Sequence, residues 1–529
     1  MKTIRTLTLL AGAALAATAA VASPAMAQKE ISIIRTIDTD RYDPHRSTAR
    51  SAAEILFMVG DTLVALDYDL KTVKPGLAKS WTVSDDGLLY TFKLKEGVKF
   101  CSGKEFTAQD VVDTITRWRD PATKGVVTWR AGPLKEVRAK DKYTVEYELT
   151  KPYSELLFQM TQHFHTIINV DQAKQLGDDF GVKALDGTGP FCFDSWAPRN
   201  QTVLTKHKGY NWGPDFYKNK EPQVDKITWK IVPEESTRVA SLQTGQADAS
   251  QYVPYWSIDQ FKANNKMTVT QAEAYYWTYF MGMKVTREFM QDVRVRKAMN
   301  LAIDVAAITD AVTFGYATPA TSYIDRNVLD FNEAVSEEPF RYDPKAAQAL
   351  LEEAGWKVGP DGFRVKDGKK LELQVYGFND GTWRQIVEAA QSDLRKVGID
   401  LQLQLFDATV VWGKLATQEF DVYTMSFPYV STGDAMNLYF RSANIPTPNR
   451  ANWKDAETDA WLEAGSAALT DKDRKENFGK VLAKVQDNAL MIPLYHEPLF
   501  TVAGAKLQPV RAHGIYGAGF YKGIDLALK

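Results

Sequence analysis

GLAKSWTVSDDGLLYTFKLKEGVKFCSGKEFTAQDVV, residues 76–112, is the stretch on which the fold turns. Asp85-Asp86-Gly87 is a turn signal, because glycine supplies the positive φ that such turns require. Tyr90, Phe92 and Leu94 alternate with Thr91, Lys93 and Lys95, the period-two pattern of a half-buried strand. Thr107-Ala108-Gln109-Asp110 reads as a helix N-cap with a carboxylate in the first turn, leading into Val111 and Val112. The expectation is strand, tight turn, strand and capped helix.

The same alternation continues outward. Asp343-Pro344 opens a helix as N-cap and first helical residue, and Gly355 closes it. Segments 371–376 and 399–405 read as strands flanking a helix over 381–396, which predicts a parallel βαβ unit. Segment 236–247 reads as a helix that stops near Gly245. Together these give α/β architecture in more than one lobe.

The N-terminus has the form of a secretory signal peptide. Lys2 and Arg5 make a basic start, 7–22 an apolar core, and Ala25-Met26-Ala27 a small-residue cleavage site before Gln28. The apolar run falls short of the roughly 20 residues of a membrane span, and the residue directly after the cleavage site is Gln28, not a Cys that could carry a lipid. A soluble exported chain, cleaved after Ala27, is expected. The remainder is too long for one core and should split into two or three lobes. The formal net charge of −2 argues against nucleic acid, which selects a basic surface. The only cysteines, Cys101 and Cys192, can pair, and the sequence leaves that open.

Residues 76–112 resemble the signature of the family 5 solute-binding proteins of ABC importers, large periplasmic receptors for peptides, nickel complexes and some sugars or opines. Further pieces follow in the family's order: Gly187-Thr188-Gly189-Pro190-Phe191, Trp196, Gly209-Tyr210-Asn211-Trp212, 291–298, Ala302-Ile303-Asp304, 315–320, Tyr342-Asp343-Pro344, Glu353-Ala354-Gly355-Trp356 and Ile492-Pro493-Leu494-Tyr495. The resemblance implies a class II-like periplasmic-binding-protein clamshell of two lobes. The first lobe would be discontinuous, 28–285 plus 492–529, with an inserted α/β subdomain at about 63–205. The second would be 286–491, with a hinge near 282–284 and 493–496.

No enzyme motif is present: there is no G-x-S-x-G elbow, no H-E-x-x-H, no phosphate-cradling glycine loop and no zinc spacing of Cys. In a strand His163 and His165 would share a face, as a metal pair can, or lie outward on a surface strand. Acidic pairs such as Asp85-Asp86 sit in turns or on helices, where they solvate and cap. The reading is therefore no enzyme, no cofactor and no metal. A secreted hydrolase and a periplasmic chaperone are the competing classes.

Aromatic residues are plentiful, with 25 Phe, 23 Tyr and 13 Trp. They cluster with polar neighbours at 252–256, 275–279 and 427–429, where rings give flat walls and Tyr and Trp add a polar tip. The resemblance points to Tyr276, Trp277 and Tyr429 near the lobe junction. It also points to cleft-lining segments that carry Thr48, Arg50, Phe378, Trp383, Arg384, Ser431, Asp434, Asn449 and Arg450. Arg50, Arg384 and Arg450 are candidate clamps for a carboxylate or phosphate. One departure bears on specificity. Dipeptide receptors of the family hold the α-ammonium with an Asp a few residues before Gly-Asp-Pro, and here that position falls on uncharged Val430 or Ser431 ahead of Gly433-Asp434. Either Asp434 substitutes or the ligand is not a free-amino dipeptide. The expected role is a monomeric receptor that captures a small solute and delivers it to an inner-membrane permease with its cytoplasmic ATPases. A peptide leads, ahead of an opine, oligosaccharide or metal chelate.

Overall fold

In the computed structural model, which describes residues 28–336, 340–407 and 410–529, the expected hairpin forms. Ala78–Val83 and Leu89–Leu94 pair antiparallel, and Gly87 takes φ +69° at the turn. Tyr90, Phe92 and Leu94 face the core while Lys93 faces solvent. Helix Ala108–Arg119 starts as read, with the Thr107 amide donating to the Asp110 carboxylate at 2.8 Å. It buries Val111, Ile115 and Trp118, one helical face. This hairpin, Thr144–Leu149 and Leu134–Asp141 make a four-stranded antiparallel sheet.

Two larger sheets carry the lobes. A seven-stranded sheet runs in the order Thr268–Gln271, Phe500–Ala503, Ala249–Ser250, Glu30–Arg35, Lys226–Ile231, Gln201–Lys206, Phe191–Ala197. A six-stranded sheet runs Thr318–Pro319, Met491–His496, Trp277–Met283, Val422–Pro428, Glu372–Phe378, Asp400–Phe406. The expected βαβ unit is present: Glu372–Phe378 and Asp400–Phe406 pair in parallel, joined by helix Gly381–Lys396. That helix buries Trp383, Ile386, Val387, Ala390 and Leu394, a three-four spacing against the sheet. Helix Pro344–Glu353 is capped by Asp343, which accepts from the Ala346 amide at 2.9 Å. The helix read at 236–247 spans Glu235–Thr244.

The chain leaves the seven-stranded sheet after Gln271, enters the six-stranded one at Trp277, and returns between His496 and Phe500. Strands Trp277–Met283 and Met491–His496 lie side by side within the second sheet. Strands Phe191–Ala197 and Gln201–Lys206 belong to the seven-stranded sheet. The signal segment 1–27 lies outside the described residues. Among the described residues no helix is long and apolar enough to cross a membrane.

Cys101 and Cys192 form a disulfide, with Cα atoms 5.7 Å apart, that ties the inserted layer to the edge strand of the seven-stranded sheet. It closes a loop across a sequence separation of 91. Removing the link in Cys101→Ser/Cys192→Ser should lower unfolding free energy by about 2–4 kcal/mol, as read from urea denaturation. An unchanged midpoint would mean that the link adds nothing to the constraint on the unfolded chain.

Candidate functional site

The site is a seam between the lobes with a charged group at each end. At one end Arg50 opens helix Arg50–Val59 in the first lobe. Its guanidinium lies between the rings of Tyr252 and Trp277, 4.9 Å from each centroid. Glu54 and Glu497 approach it at 3.9 and 3.6 Å. Tyr252 and Gln251 donate to Glu54, and Tyr275 donates to Glu497 at 3.1 Å. Burial pushes both glutamates above the usual carboxylate range, against the pull of Arg50. Arg50 is therefore already compensated by protein carboxylates.

At the other end is Arg130, which no sequence motif marks. It is buried, stacked against Trp129 and Phe164, and paired with Asp434 at 2.9 Å. Gln159 accepts from Arg130 and donates to Asp434 at 3.3 Å. Arg130 and Gln159 come from the inserted layer, whereas Asp434 sits in helix Thr432–Phe440 of the second lobe. Ser431 caps that helix, accepting from the Asp434 amide at 2.8 Å, and its hydroxyl also meets Glu155 of the inserted layer. Burial, with Asp434 nearby, pushes Glu155 up to about 8. Asp434 thus has an internal cation as partner, and an incoming ammonium would have to share it.

Aromatic rings join the two ends. Trp277 lies 6.4 Å from Tyr516, Tyr516 lies 5.9 Å from Phe164, and Phe164 backs Arg130. Along this seam Trp277 Nε1, the hydroxyls of Tyr255 and Tyr153, Arg130 Nε and Glu155 Oε2 are buried with no hydrogen-bond partner. Native interiors leave few such groups. Five such groups lie along this seam.

The remaining expected residues scatter. Tyr276 and Tyr429 are buried, and the Tyr429 amide donates to the Tyr276 carbonyl while its hydroxyl meets Tyr323. Phe378 stacks on Trp383, which packs on Tyr279. Thr48 is exposed, and its carbonyl accepts from Tyr516 at 2.9 Å. Arg450 lies over Trp412 at 5.7 Å with Nε buried and unpartnered. Arg384 is exposed and pairs with Glu388 on its own helix. Asn449 is buried as scaffold, donating to the carbonyls of Arg441 and Trp453. His163 and His165 lie in a buried turn, not a strand. Their rings pack against Tyr516 and Trp118, and burial lowers both to about 3.

The two α/β lobes and the polar, aromatic seam between them define a bilobal solute receptor. The family model for bacterial extracellular solute-binding proteins, family 5 (middle) matches residues 72–446. This chain belongs to that family. It is 32% identical over 395 residues to the glutathione-binding protein GsiB of Escherichia coli O1:K1 / APEC, covering 74% of this chain and 72% of that one. It is 31% identical over 504 residues to GsiB of Shigella dysenteriae serotype 1 (strain Sd197), covering 93% of each. Among solved structures, NikA from Brucella suis in complex with Fe(III)-EDTA superposes with a TM-score of 0.83 at 24% identity, over 94% of this chain and 100% of that one. AppA from Bacillus subtilis in complex with a nonapeptide gives 0.82 at 23%, over 95% and 99%.

Proposed function

We propose that this chain is the exported receptor of an ABC importer that closes on a short acidic peptide of the glutathione class. In this reading the polypeptide is cleaved after Ala27 and works as a monomer in the periplasm. It hands its solute to a transmembrane permease driven by cytoplasmic ATPases. Lobe I is the seven-stranded sheet with its inserted layer and lobe II the six-stranded sheet. Connections 272–276 and 497–499 act as the hinge that shifts the open–closed population.

One observation carries the ligand class: each end of the seam pairs a guanidinium with carboxylates, Arg50 with Glu54 and Glu497, and Arg130 with Asp434. A solute with both an ammonium and carboxylates exchanges these internal partners for its own without stranding a buried charge. An uncharged sugar leaves them as they are and gains less from closure. The kinship over 93% of the chain with a glutathione-binding protein supports the same class.

Calorimetric titration of the purified mature chain with reduced glutathione, alanine tripeptide, agropinic acid and nickel–histidine decides the class. Glutathione should bind at micromolar Kd or tighter and more tightly than the tripeptide, and Arg130→Ala should weaken it by tenfold or more, at least about 1.4 kcal/mol. Binding of only the opine or the nickel chelate would overturn the peptide reading.

A further inference from the structure

Away from the seam, on the first lobe, Cys101, Cys192 and His207 place one ligand atom each within 4.8 Å of one another. His207 is buried and its Nδ1 donates to the Gly189 carbonyl at 2.8 Å, which leaves Nε2 as the nitrogen to ligate. A histidine oriented by a backbone carbonyl in this way is the usual form of a metal-ligating imidazole. Trp212 packs edge-on against the ring at 5.4 Å and holds its plane.

We propose that these three residues form a redox-gated soft-metal site. The disulfide keeps it closed, and after reduction by a dithiol it takes one divalent ion such as Zn²⁺ or Cd²⁺ on two thiolates and His207 Nε2, with a fourth position open. In the reducing step the dithiol's two sulfurs close into a cyclic disulfide as the Cys101–Cys192 bond breaks, and its two protons pass to the cysteine sulfurs. The metal then displaces both protons, and each thiolate donates a lone pair.

The frame that holds the ligands does not depend on the disulfide. The Cys101 amide donates to the Gly187 carbonyl at 3.0 Å, and the His207 amide donates to the Pro190 carbonyl at 2.9 Å. Cys192 lies two residues beyond Pro190, in strand Phe191–Ala197. Segment 187–190 thus anchors all three ligands. It is itself pressed on helix Arg50–Val59, since a Cβ at Gly187 would fall 2.3 Å from the Val59 carbonyl oxygen. Metal–ligand bonds of about 2.0–2.3 Å at tetrahedral angles set neighbouring ligand atoms roughly 3.5 Å apart. Side-chain rotation alone brings the three atoms to that spacing once the sulfurs separate. Both cysteines are partly exposed, so reductant and metal can reach them.

The test uses the full mature chain and Cd²⁺ alone, added without oxygen after the dithiol is removed. The reduced protein should show a thiolate-to-metal charge-transfer band saturating at one Cd²⁺ per chain, and the disulfide form should show none. His207→Ala should weaken Cd²⁺ binding by at least about tenfold. Cys101→Ser, whose fold is checked by circular dichroism, should abolish the band. The band's absence in reduced, folded protein would overturn the site, as would equal affinity in His207→Ala. Glutathione titration of the same samples reads the seam independently of this site.

Discussion

Asp434→Ala should destabilise the closed protein by about 3–5 kcal/mol, because it strands Arg130 as a buried cation without its counter-ion. Both side chains are almost wholly buried, at 1% and 0% exposure, so solvent screening does not soften the loss. The pair spans the two lobes, and opening returns both charges to water. The penalty therefore falls on closure more than on the fold of either lobe. Solute affinity should drop by about a hundredfold or more, equivalent to roughly 3 kcal/mol, while each lobe keeps its secondary structure. Arg130→Met/Asp434→Leu, which replaces the pair by apolar groups of similar volume, should recover much of the stability but not the solute. A single variant that closes and binds like the parent would show that the pair carries no weight.

What was legible in the sequence was local. The hairpin and capped helix of 76–112, the helix opened by Asp343-Pro344 and the parallel unit of 371–405 each rest on contacts within a few residues, and each forms where the pattern placed it. The seam rests on the opposite kind of contact. Arg130 meets Asp434 across 304 positions, and Gln251 meets Gly517 across 266. No periodicity marks Arg130. It sits in a short 3₁₀ turn that begins after Val127 in a left-handed conformation, and a lone Trp129-Arg130 there reads as surface. Arg384 shows the converse. The cleft resemblance points to it, a relation between distant segments, whereas its contact in the structure is local, with Glu388 one turn along its own helix. The histidine pair failed as a strand because Gln162-His163-Phe164-His165 is short enough to fit either period, and tertiary packing chose a buried turn.

The second large effect is on pH, through Glu155. Its carboxyl titrates at about 8 in the folded protein against 4.5 when free, because burial disfavours the anion and Asp434 and Asp330 lie near, with Ser431 and Arg474 opposing. Between these values the folded form keeps a proton that the unfolded form has lost. Stability from this group is therefore complete below about pH 4.5 and falls as pH rises through about 8, by up to about 1.4 kcal/mol per unit. Asp380, raised to about 6 by burial and by Glu497 and Glu235, acts in the same direction over a narrower range. The buried histidines His45, His163, His165 and His513 act oppositely. Each is lowered to about 3 by burial, so protonation in the unfolded chain removes stability as pH falls below about 6.5. A profile of the parent alone mixes these terms, and a difference separates them. Glu155→Gln keeps the shape and stays neutral at every pH. Its unfolding free energy relative to the parent should therefore be flat below pH 5 and climb by several kcal/mol towards pH 8. Because Glu155 meets Ser431 across the lobes, solute affinity should follow the same course, with the parent releasing ligand as pH rises and Glu155→Gln holding it. Parallel profiles for the two proteins from pH 5 to 8 would show that Glu155 is ionised inside the closed seam, and would remove the proton from the account of closure.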